Sequence, residues 1–270
     1  MNSLTKLFII SFSCFLPVAA QQSSPLAQAS GPSATDLLSK SLAALTGGHP
    51  LTDVTLSGTA RRIAGSDDES GTNVAKALAT GEARMDLSFP SGSRSEVVAV
   101  SNKCPAGSWS GPDGVAHSIS NHNLMTDSSW FFPTFTIGRL LSPGPYTLTL
   151  VGQETRNGQT VEHVMAYQSS TVQLPFGIPT FSHLTQMDLF LDSNTLLPAA
   201  LAFNTHPDKD AGLDIPVEIR FSDYRSVNGA QIPFHVQKFI NNSLSLDFQF
   251  DSAVLNSGLS TSSFTVGAGL

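Results

Sequence analysis

Two stretches of the sequence decide the expected fold: MDLFLDSNTLLPAAL (residues 187–201) and VEIRFSDYRSVNGAQIPFHV (residues 217–236). In both, apolar and polar residues alternate with a period of two. Turn residues such as the Asn228-Gly229 pair separate the alternating runs. This pattern predicts antiparallel β-strands joined by tight turns, each with one packed face and one face toward water.

The same alternation continues through most of the chain from residue 51 onward. It recurs at residues 54–59, 83–89, 147–151, 161–167 and 244–250, with Gly, Pro, Asn or Asp at the boundaries. About ten strands with short turns predict an α+β, mostly β protein. We expect a single, strongly curved antiparallel sheet, an unclosed β-barrel, with a few short helices covering its concave face. The polar sequence DDESG at residues 67–71 predicts a solvated loop.

One helix is predicted near the start of this region. Ser33 is a candidate N-cap, and Asp36 follows at the position that completes a capping box. The apolar residues that share one helical face are Leu38, Leu42 and Leu45. A Gly-Gly pair at residues 47–48 ends the pattern. We therefore expect a short amphipathic helix that lies on an apolar surface.

The N-terminus has the pattern of an export signal. Lys6 precedes an apolar run at residues 7–16, and small residues at 18–20 form a cleavage site. We predict a signal peptide at residues 1–20, a flexible leader at residues 21–32 (QQSSPLAQASGP) and one domain at residues 33–270. The protein is therefore expected in the periplasm or outside the cell.

The charge balance limits the classes of partner. The chain has 21 Asp and Glu against 14 Lys and Arg, for a net charge of −7, and it contains no basic run. Acidic proteins repel phosphate backbones, so we expect no nucleic-acid partner. After the signal peptide, no stretch approaches the ~18 consecutive apolar residues of a membrane span, so we expect no transmembrane segment.

From the positions of the two cysteines we expect neither a lipid anchor nor a disulfide. Cys14 lies in the apolar run of the signal, and Phe12 occupies a position where a lipoprotein signal needs a small residue. Removal of the signal leaves Cys104 without a partner in the chain. Because an unpaired cysteine packs as a small hydrophobe, we expect Cys104 to be buried.

The sequence lacks the common catalytic and metal-binding motifs. It contains no G-x-S-x-G sequence and no glycine-rich phosphate loop. The seven histidines are scattered, and His117 and His122 are five residues apart, a spacing that suits no standard zinc site. We therefore expect no cofactor, no metal and no enzymatic activity. A pair of carboxylates that meet in a cleft remains open, because such pairs are not visible in sequence.

One segment departs from the alternation: LMTDSSWFFPTFTIGRLL at residues 124–141. It is dense in aromatic residues around Pro133, which is unusual for an exposed loop. Two interpretations remain open. The segment is either a connection folded over the open face of the sheet, or a mobile lid or lining of an apolar ligand cavity.

Short motifs at strand ends and turns recur along the chain, at Leu191-Asp192, Leu197-Pro198, Phe221, Tyr224, Gly229, Pro233, Trp109, Asp113 and Gly114. With these motifs the sequence resembles the LolA-like superfamily of exported carriers. The resemblance extends over residues 52–264. It implies an unclosed β-barrel with helices over its mouth, whose interior holds acyl chains of lipoproteins or other lipids.

We therefore predict a non-enzymatic binder or carrier of lipid-like ligands, with a lipid or acylated protein as partner. The residues expected to line the cavity or its lid are Trp109, Trp130, Phe131, Phe132, Phe135 and Ile137. Two alternatives remain: an envelope structural or interaction protein with a filled core, and a secreted hydrolase with a carboxylate pair. An open apolar cavity of a few hundred cubic ångströms would favour the carrier.

Overall fold

The computed structural model describes residues 32–102, 104–126, 128–169 and 180–267. The predicted signal peptide, Cys14 and all of the predicted leader except Pro32 lie outside these residues. The division into signal, leader and domain therefore stays a prediction.

The described residues form thirteen strands, three helices and two 3₁₀ turns. The strands are β1 (Asp53–Ala64), β2 (Asp67–Leu78), β3 (Ala83–Phe89), β4 (Gly92–Ser101), β5 (Cys104–Ser110), β6 (Ala116–Ser118), β7 (Tyr146–Arg156), β8 (Gln159–Gln168), β9 (Met187–Asp192), β10 (Pro198–Thr205), β11 (Ile215–Val227), β12 (Ala230–Ile240) and β13 (Ser243–Leu255). The helices are α1 (Ala34–Thr46), α2 (Pro133–Leu141) and α3 (Phe181–Leu184), and the 3₁₀ turns are Asn121–Leu124 and Thr261–Phe264.

All thirteen described strands belong to one antiparallel sheet, which confirms the predicted fold class. Their order is β6-β5-β4-β3-β2-β1-β13-β12-β11-β10-β9-β8-β7. Strands that are consecutive in the chain pair with each other, except β6 and β7, and β1 also pairs with β13. Because β6 and β7 stand at opposite edges and do not pair, the sheet curves without closing into a barrel.

The Asn-Gly pairs form the tight turns that the sequence predicts. Asn157 and Gly158 connect β7 to β8 with φ values of 50° and 79°, and Asn228 and Gly229 connect β11 to β12 with 50° and 87°. Two consecutive positive φ values are the requirement of a type I′ turn, which asparagine and glycine tolerate best. These turns fix the register of both hairpins.

Helix α1 begins and ends as its sequence predicts. Ser33 and Asp36 form a reciprocal capping box, and Gly47 ends the helix in the left-handed conformation with φ 60°. A Cβ atom at Gly47 would lie 2.4 Å from the carbonyl oxygen of Gly229, so the end of the helix contacts the β11–β12 turn closely. Leu38 and Leu45 are fully buried beneath the helix.

The main core lies between the concave face of the sheet and helices α1 and α2. Side chains of the paired strands β1 and β13, such as Leu56, Phe248 and Phe250, are fully buried in this core. A smaller cluster around Phe264 covers the other face near β2 and β4. The helices are therefore held to the sheet by burial of apolar surface, the main stabilising contribution in folding.

Two expectations from the sequence are wrong. Residues 67–71 are the first part of β2 and not a loop, because the turn lies at Gly65 (φ 62°) and the acidic residues pair across to β1. Arg61 contacts Asp68 at 2.6 Å across the two strands. Cys104 is exposed rather than buried, because it opens β5 at a point where the first three residues of the strand are outside the core.

Among the helices that the structure describes, none is both long enough and apolar enough to cross a membrane.

Candidate functional site

The aromatic segment lies inside the molecule. It folds over the concave face between β6 and β7, and α2 begins with Pro133 at its first position, where proline's missing N–H costs nothing. Five of the six candidate side chains are buried, with exposed fractions of 6% or less: Trp130, Phe131, Phe132, Phe135 and Ile137. The segment thus folds back over the sheet, and its role as the lining or lid of a ligand cavity stays a prediction.

Trp130 occupies the centre of this region. Its ring stacks on Phe248 with centroids 5.9 Å apart and meets Phe131 edge-on at 5.8 Å. The ammonium group of Lys238 lies 4.6 Å from the centroid of the indole. The ring is therefore held between an aromatic side chain of β13 and a cation of β12, and such contacts favour a single orientation.

Two cavities lie against Trp130 on the concave face. The first has a volume of about 290 Å³, and its apolar wall includes Val98, Phe203 and Ile240. The second has a volume of about 240 Å³, and its apolar wall includes Met85, Leu87 and Leu246. Four residues line both cavities: Glu96, Trp109, Trp130 and Lys238. The indole thus forms part of the wall of both spaces.

Trp109 is the exception among the six candidates. Its side chain is 44% exposed, and its ring stacks on His117 with centroids 4.5 Å apart. It lies on β5 and forms part of the wall of both cavities. Trp109 therefore stands where the cavities meet solvent, whereas Trp130 lies deeper.

Five charged residues line these cavities: Arg62, Arg94, Glu96, Asp208 and Lys238. Arg62 and Arg94, which line the second cavity, both contact the carboxylate of Glu69, at 3.3 and 3.4 Å. Within the described residues, neither Glu96 nor Lys238 forms an ion pair. A space with an apolar wall on one side and polar groups on the other suits a ligand with an apolar body and a polar end.

A third, more open groove of about 570 Å³ runs between α1 and α2. Its apolar lining includes Leu42, Leu51, Phe135 and Leu141. The sequence analysis did not anticipate it, because its walls come from two helices that are about ninety residues apart in the chain. The six candidates are thus divided: Trp109 and Trp130 line the concave cavities, Phe135 lines the helix groove, and the remaining three pack within the core or close to it.

A polar cluster outside these cavities was also missed. His183 on α3 and His206 after β10 both contact one carboxylate oxygen of Asp214, at 2.8 and 3.1 Å. Burial lowers the pKa of His206, and this outweighs the opposite effect of the neighbouring carboxylate. Burial opposes ionisation of Asp214, but hydrogen bonds and charge from the two histidines outweigh it and lower its pKa. These residues are widely spaced in sequence and carry no recognisable motif.

Comparisons with known proteins place the fold. No protein-family model matches the chain, and no curated protein matches it. Solved structures do match over most of their length. A LolA superfamily protein from Nitrosomonas europaea is 10% identical with a TM-score of 0.54, and the match covers 86% of this chain and 97% of that one.

Two further structures agree with this result. A domain from Vibrio parahaemolyticus, assigned as an outer membrane lipoprotein-sorting protein, is 12% identical with a TM-score of 0.51, over 84% of this chain and 94% of that one. A DUF1329 family protein from Desulfovibrio piger is 13% identical with a TM-score of 0.51, over 86% and 95%. At these identities the likeness concerns the fold alone, and it confirms that this chain has a LolA-like fold.

Proposed function

We propose that the protein is an exported, non-enzymatic binder or carrier of lipid-like ligands, and that an acyl chain occupies the two cavities beside Trp130. The observation that carries this proposal is the pair of cavities of about 290 and 240 Å³ inside the half-barrel, each with an apolar wall. Each is slightly smaller than the usual small-molecule site, which has a volume of roughly 300–1,000 Å³. That size suits a single chain better than a multi-chain lipid.

The energetics favour such a ligand. Burial of each methylene of an acyl chain contributes about 0.8 kcal/mol, so ten buried methylenes supply about 8 kcal/mol before the cost of ordering the chain. The methylenes of the acyl chain need no charged contact with the protein. Lys238 and Glu96 lie at the shared wall, where the polar end of a ligand would be placed.

The similarity of fold adds support to this proposal. Structures with the same fold include a LolA superfamily protein and a domain assigned to lipoprotein sorting. The sequence of residues 1–20 has the pattern of a secretory signal, which would deliver the protein to the periplasm. A lipid, or a protein that carries one, is therefore the partner we propose, with an envelope protein as a further partner.

One observation favours a second candidate, an interaction protein with a filled core. Phe131, Phe132 and Ile137 are at most 1% exposed and belong to the main core. In this case the concave face would hold no ligand and the protein would act through its surface. The two candidates differ in whether the purified protein contains and takes up lipid.

The experiment measures uptake of a fluorescent fatty acid by the purified protein, together with mass spectrometry of lipid extracted after denaturation. Ile240→Trp and Leu246→Trp each place an indole at the wall of one cavity. Val254→Trp is the matched control, because Val254 is 51% exposed on β13 and lines neither cavity. We expect both cavity variants to bind the probe about tenfold more weakly than the wild type, and the control to bind it normally.

Three results would count against the proposal. In the first, the wild type neither contains lipid nor takes up the probe. In the second, the cavity variants bind the probe as well as the control does. The third result concerns hydrolysis, because the carboxylates of Glu96 and Asp208 line the same cavity. Turnover of a fatty-acyl ester or glycoside that is lost in Glu96→Gln would support the hydrolase instead.

A further inference from the structure

Three side chains that could hold a metal ion converge at the end of the sheet where β10 gives way to β11. His206 directly follows β10, Asp214 directly precedes β11, and His183 lies on α3, which leads into β9. One candidate ligand atom from each residue lies within 4.8 Å of the other two. No other group of three or more such residues occurs among the described residues.

The geometry of the cluster is close to that of a metal site. Nε2 of His183 lies 2.8 Å from Oδ1 of Asp214, and Nε2 of His206 lies 3.1 Å from the same oxygen. In a four-coordinate zinc site with bonds of 2.0–2.1 Å, neighbouring ligand atoms are about 3.3 Å apart. The two N–O distances need to change by only a few tenths of an ångström, whereas the two Nε2 atoms, which lie within 4.8 Å of each other, would approach by up to about 1.5 Å to hold an ion.

The side chains that would have to move are free to do so. The His183 and Asp214 side chains are 37% and 39% exposed, whereas that of His206 is 1% exposed and anchors the site. An ion can thus approach from solvent on the side of the first two residues.

Metal binding requires the proton of each imidazole to move from Nε2 to Nδ1, and only the hydrogen bonds to Asp214 are lost. A carboxylate only accepts hydrogen bonds, so each Nε2 now donates its proton to Asp214. Ligation through Nε2 requires the neutral ring to carry its proton on Nδ1. Nδ1 of His206 has no hydrogen-bond partner among the described residues, so moving the proton there breaks no existing contact.

We propose that His183, His206 and Asp214 form a binding site for one divalent transition-metal ion, with Zn²⁺ as the best match. Two imidazoles and a carboxylate suit zinc and its neighbours in the first transition row rather than Ca²⁺ or Mg²⁺, which take oxygen ligands. Three protein ligands leave a fourth position for water or another ligand. The ion would tie α3 to the β10–β11 connection. This proposal is independent of the lipid-binding function.

The site adjoins the wall of the first cavity. The backbone N–H of His206 donates to the side chain of Asn123 at 2.9 Å, and the amide of Asn123 donates to the carbonyl of His206 at 2.7 Å. Asn123 lines the first cavity. A bound ion that fixes His206 would therefore also fix this part of the cavity wall.

The test is calorimetric titration of ZnCl₂ into the full chain, purified without a polyhistidine tag and stripped with a chelator. Absorption of the Co²⁺-loaded protein reports the coordination geometry. We expect one ion per chain, a tetrahedral or five-coordinate Co²⁺ spectrum, and a higher Tm with Zn²⁺. We expect His183→Ala and Asp214→Asn each to weaken Zn²⁺ binding about tenfold or more, because loss of even an outer-shell partner costs about 10–100-fold.

The chain offers a matched control in His235, which also contacts an aspartate, with Nε2 2.7 Å from Oδ1 of Asp247, but has no second histidine beside it. His235→Ala should bind Zn²⁺ as the wild type does. The proposal is overturned if the wild type binds no stoichiometric ion, or if both site variants bind it with unchanged affinity. Because the side chains of His183 and Asp214 are partly exposed, both variants are expected to fold, and their circular dichroism spectra check this.

Discussion

Replacing Trp130 with alanine is expected to destabilise the protein and to join the two cavities beside it. The indole is 4% exposed and stacks on Phe248, and Lys238 lies over its ring. Truncation of a buried aromatic side chain to alanine costs about 3–5 kcal/mol. The two cavities beside the ring already exist, so solvent can enter the new void, and we expect the lower end of this range, about 3 kcal/mol.

This loss corresponds to a large shift in thermal stability. For a domain of this size, 1 kcal/mol changes the Tm by about 2–4 °C, so the Tm of Trp130→Ala should fall by about 6–12 °C. Thermal unfolding followed by circular dichroism measures it. Trp130→Phe keeps an aromatic ring in place and should lose about half as much. Val254→Ala, at an exposed position, should remain within about 0.5 kcal/mol of the wild type.

The same variant changes the shape available to a ligand. Without the indole, the spaces of about 290 and 240 Å³ form one chamber that can accept a branched or two-chain lipid. We therefore expect Trp130→Ala to bind bulky probes better, relative to a single-chain fatty acid, than the wild type does. A Tm within 2 °C of the wild type, or an unchanged preference for ligand size, would refute the role of Trp130 as a packed divider.

Three further predictions concern stability. Asp53→Asn should cost about 2–3 kcal/mol near neutral pH in urea unfolding, because the buried carboxylate accepts hydrogen bonds from three donors of Ser257 and Gly258. Burial raises the pKa of Asp53, but these bonds outweigh it and hold the pKa below its usual value. The contribution is therefore present above about pH 4 and is lost as the pH falls through the folded-state pKa, so the two proteins should converge in acid. Gly58→Ala should cost at least about 2 kcal/mol in the same assay, because its Cβ would lie 2.2 Å from the carbonyl oxygen of Gln249 at the β1–β13 bulge; an unchanged midpoint would contradict this. Ser33→Ala should cost about 1 kcal/mol through loss of the N-cap of α1, and a Tm equal to that of the wild type would show that the cap is dispensable.

The fold could be predicted where local chemistry and tertiary packing agree. Helix α1 was predicted with both ends because Ser33 and Gly47 each satisfy a local requirement of a helix terminus. The β11–β12 turn was predicted for the same reason, since Asn228 and Gly229 tolerate positive φ values. These signals act over a few residues and do not depend on the rest of the chain.

Strands whose sequence lacks clear alternation were harder to recognise. In β5 the sequence CPAGSWS contains one large apolar residue, and β2 begins with acidic residues. Neighbouring strands stabilise both of them. β5 pairs with β4, and Asp68 of β2 forms an ion pair with Arg61 of β1. Such cross-strand contacts are not visible in the sequence of one strand alone.

The site could be predicted only in part. Aromatic composition indicates burial, and Trp130 and Phe132 are indeed buried, but it does not indicate which ring borders an empty space. Trp130 lines both cavities, whereas Phe132 lines none of those described. The convergence of His183 on Asp214, 31 residues away, depends on where α3 meets the β10–β11 connection, and no sequence spacing reports this.

The order of the strands divides the sheet into two meanders, β1–β6 and β7–β13, and each is built from pairs between consecutive strands. Only the β1–β13 ladder joins them, and it brings together residues about two hundred positions apart, with the N–H of Thr52 donating to Asn256 at 2.8 Å. Since closing so long a loop has an entropic cost, we expect each meander to form early and their union to be the slow step of folding. β1 and β13 are neighbours in the sheet, and β6 and β7 do not pair. A circularly permuted chain whose new ends lie between β6 and β7 would therefore retain every ladder. In that chain β13 and β1 would also be consecutive in sequence.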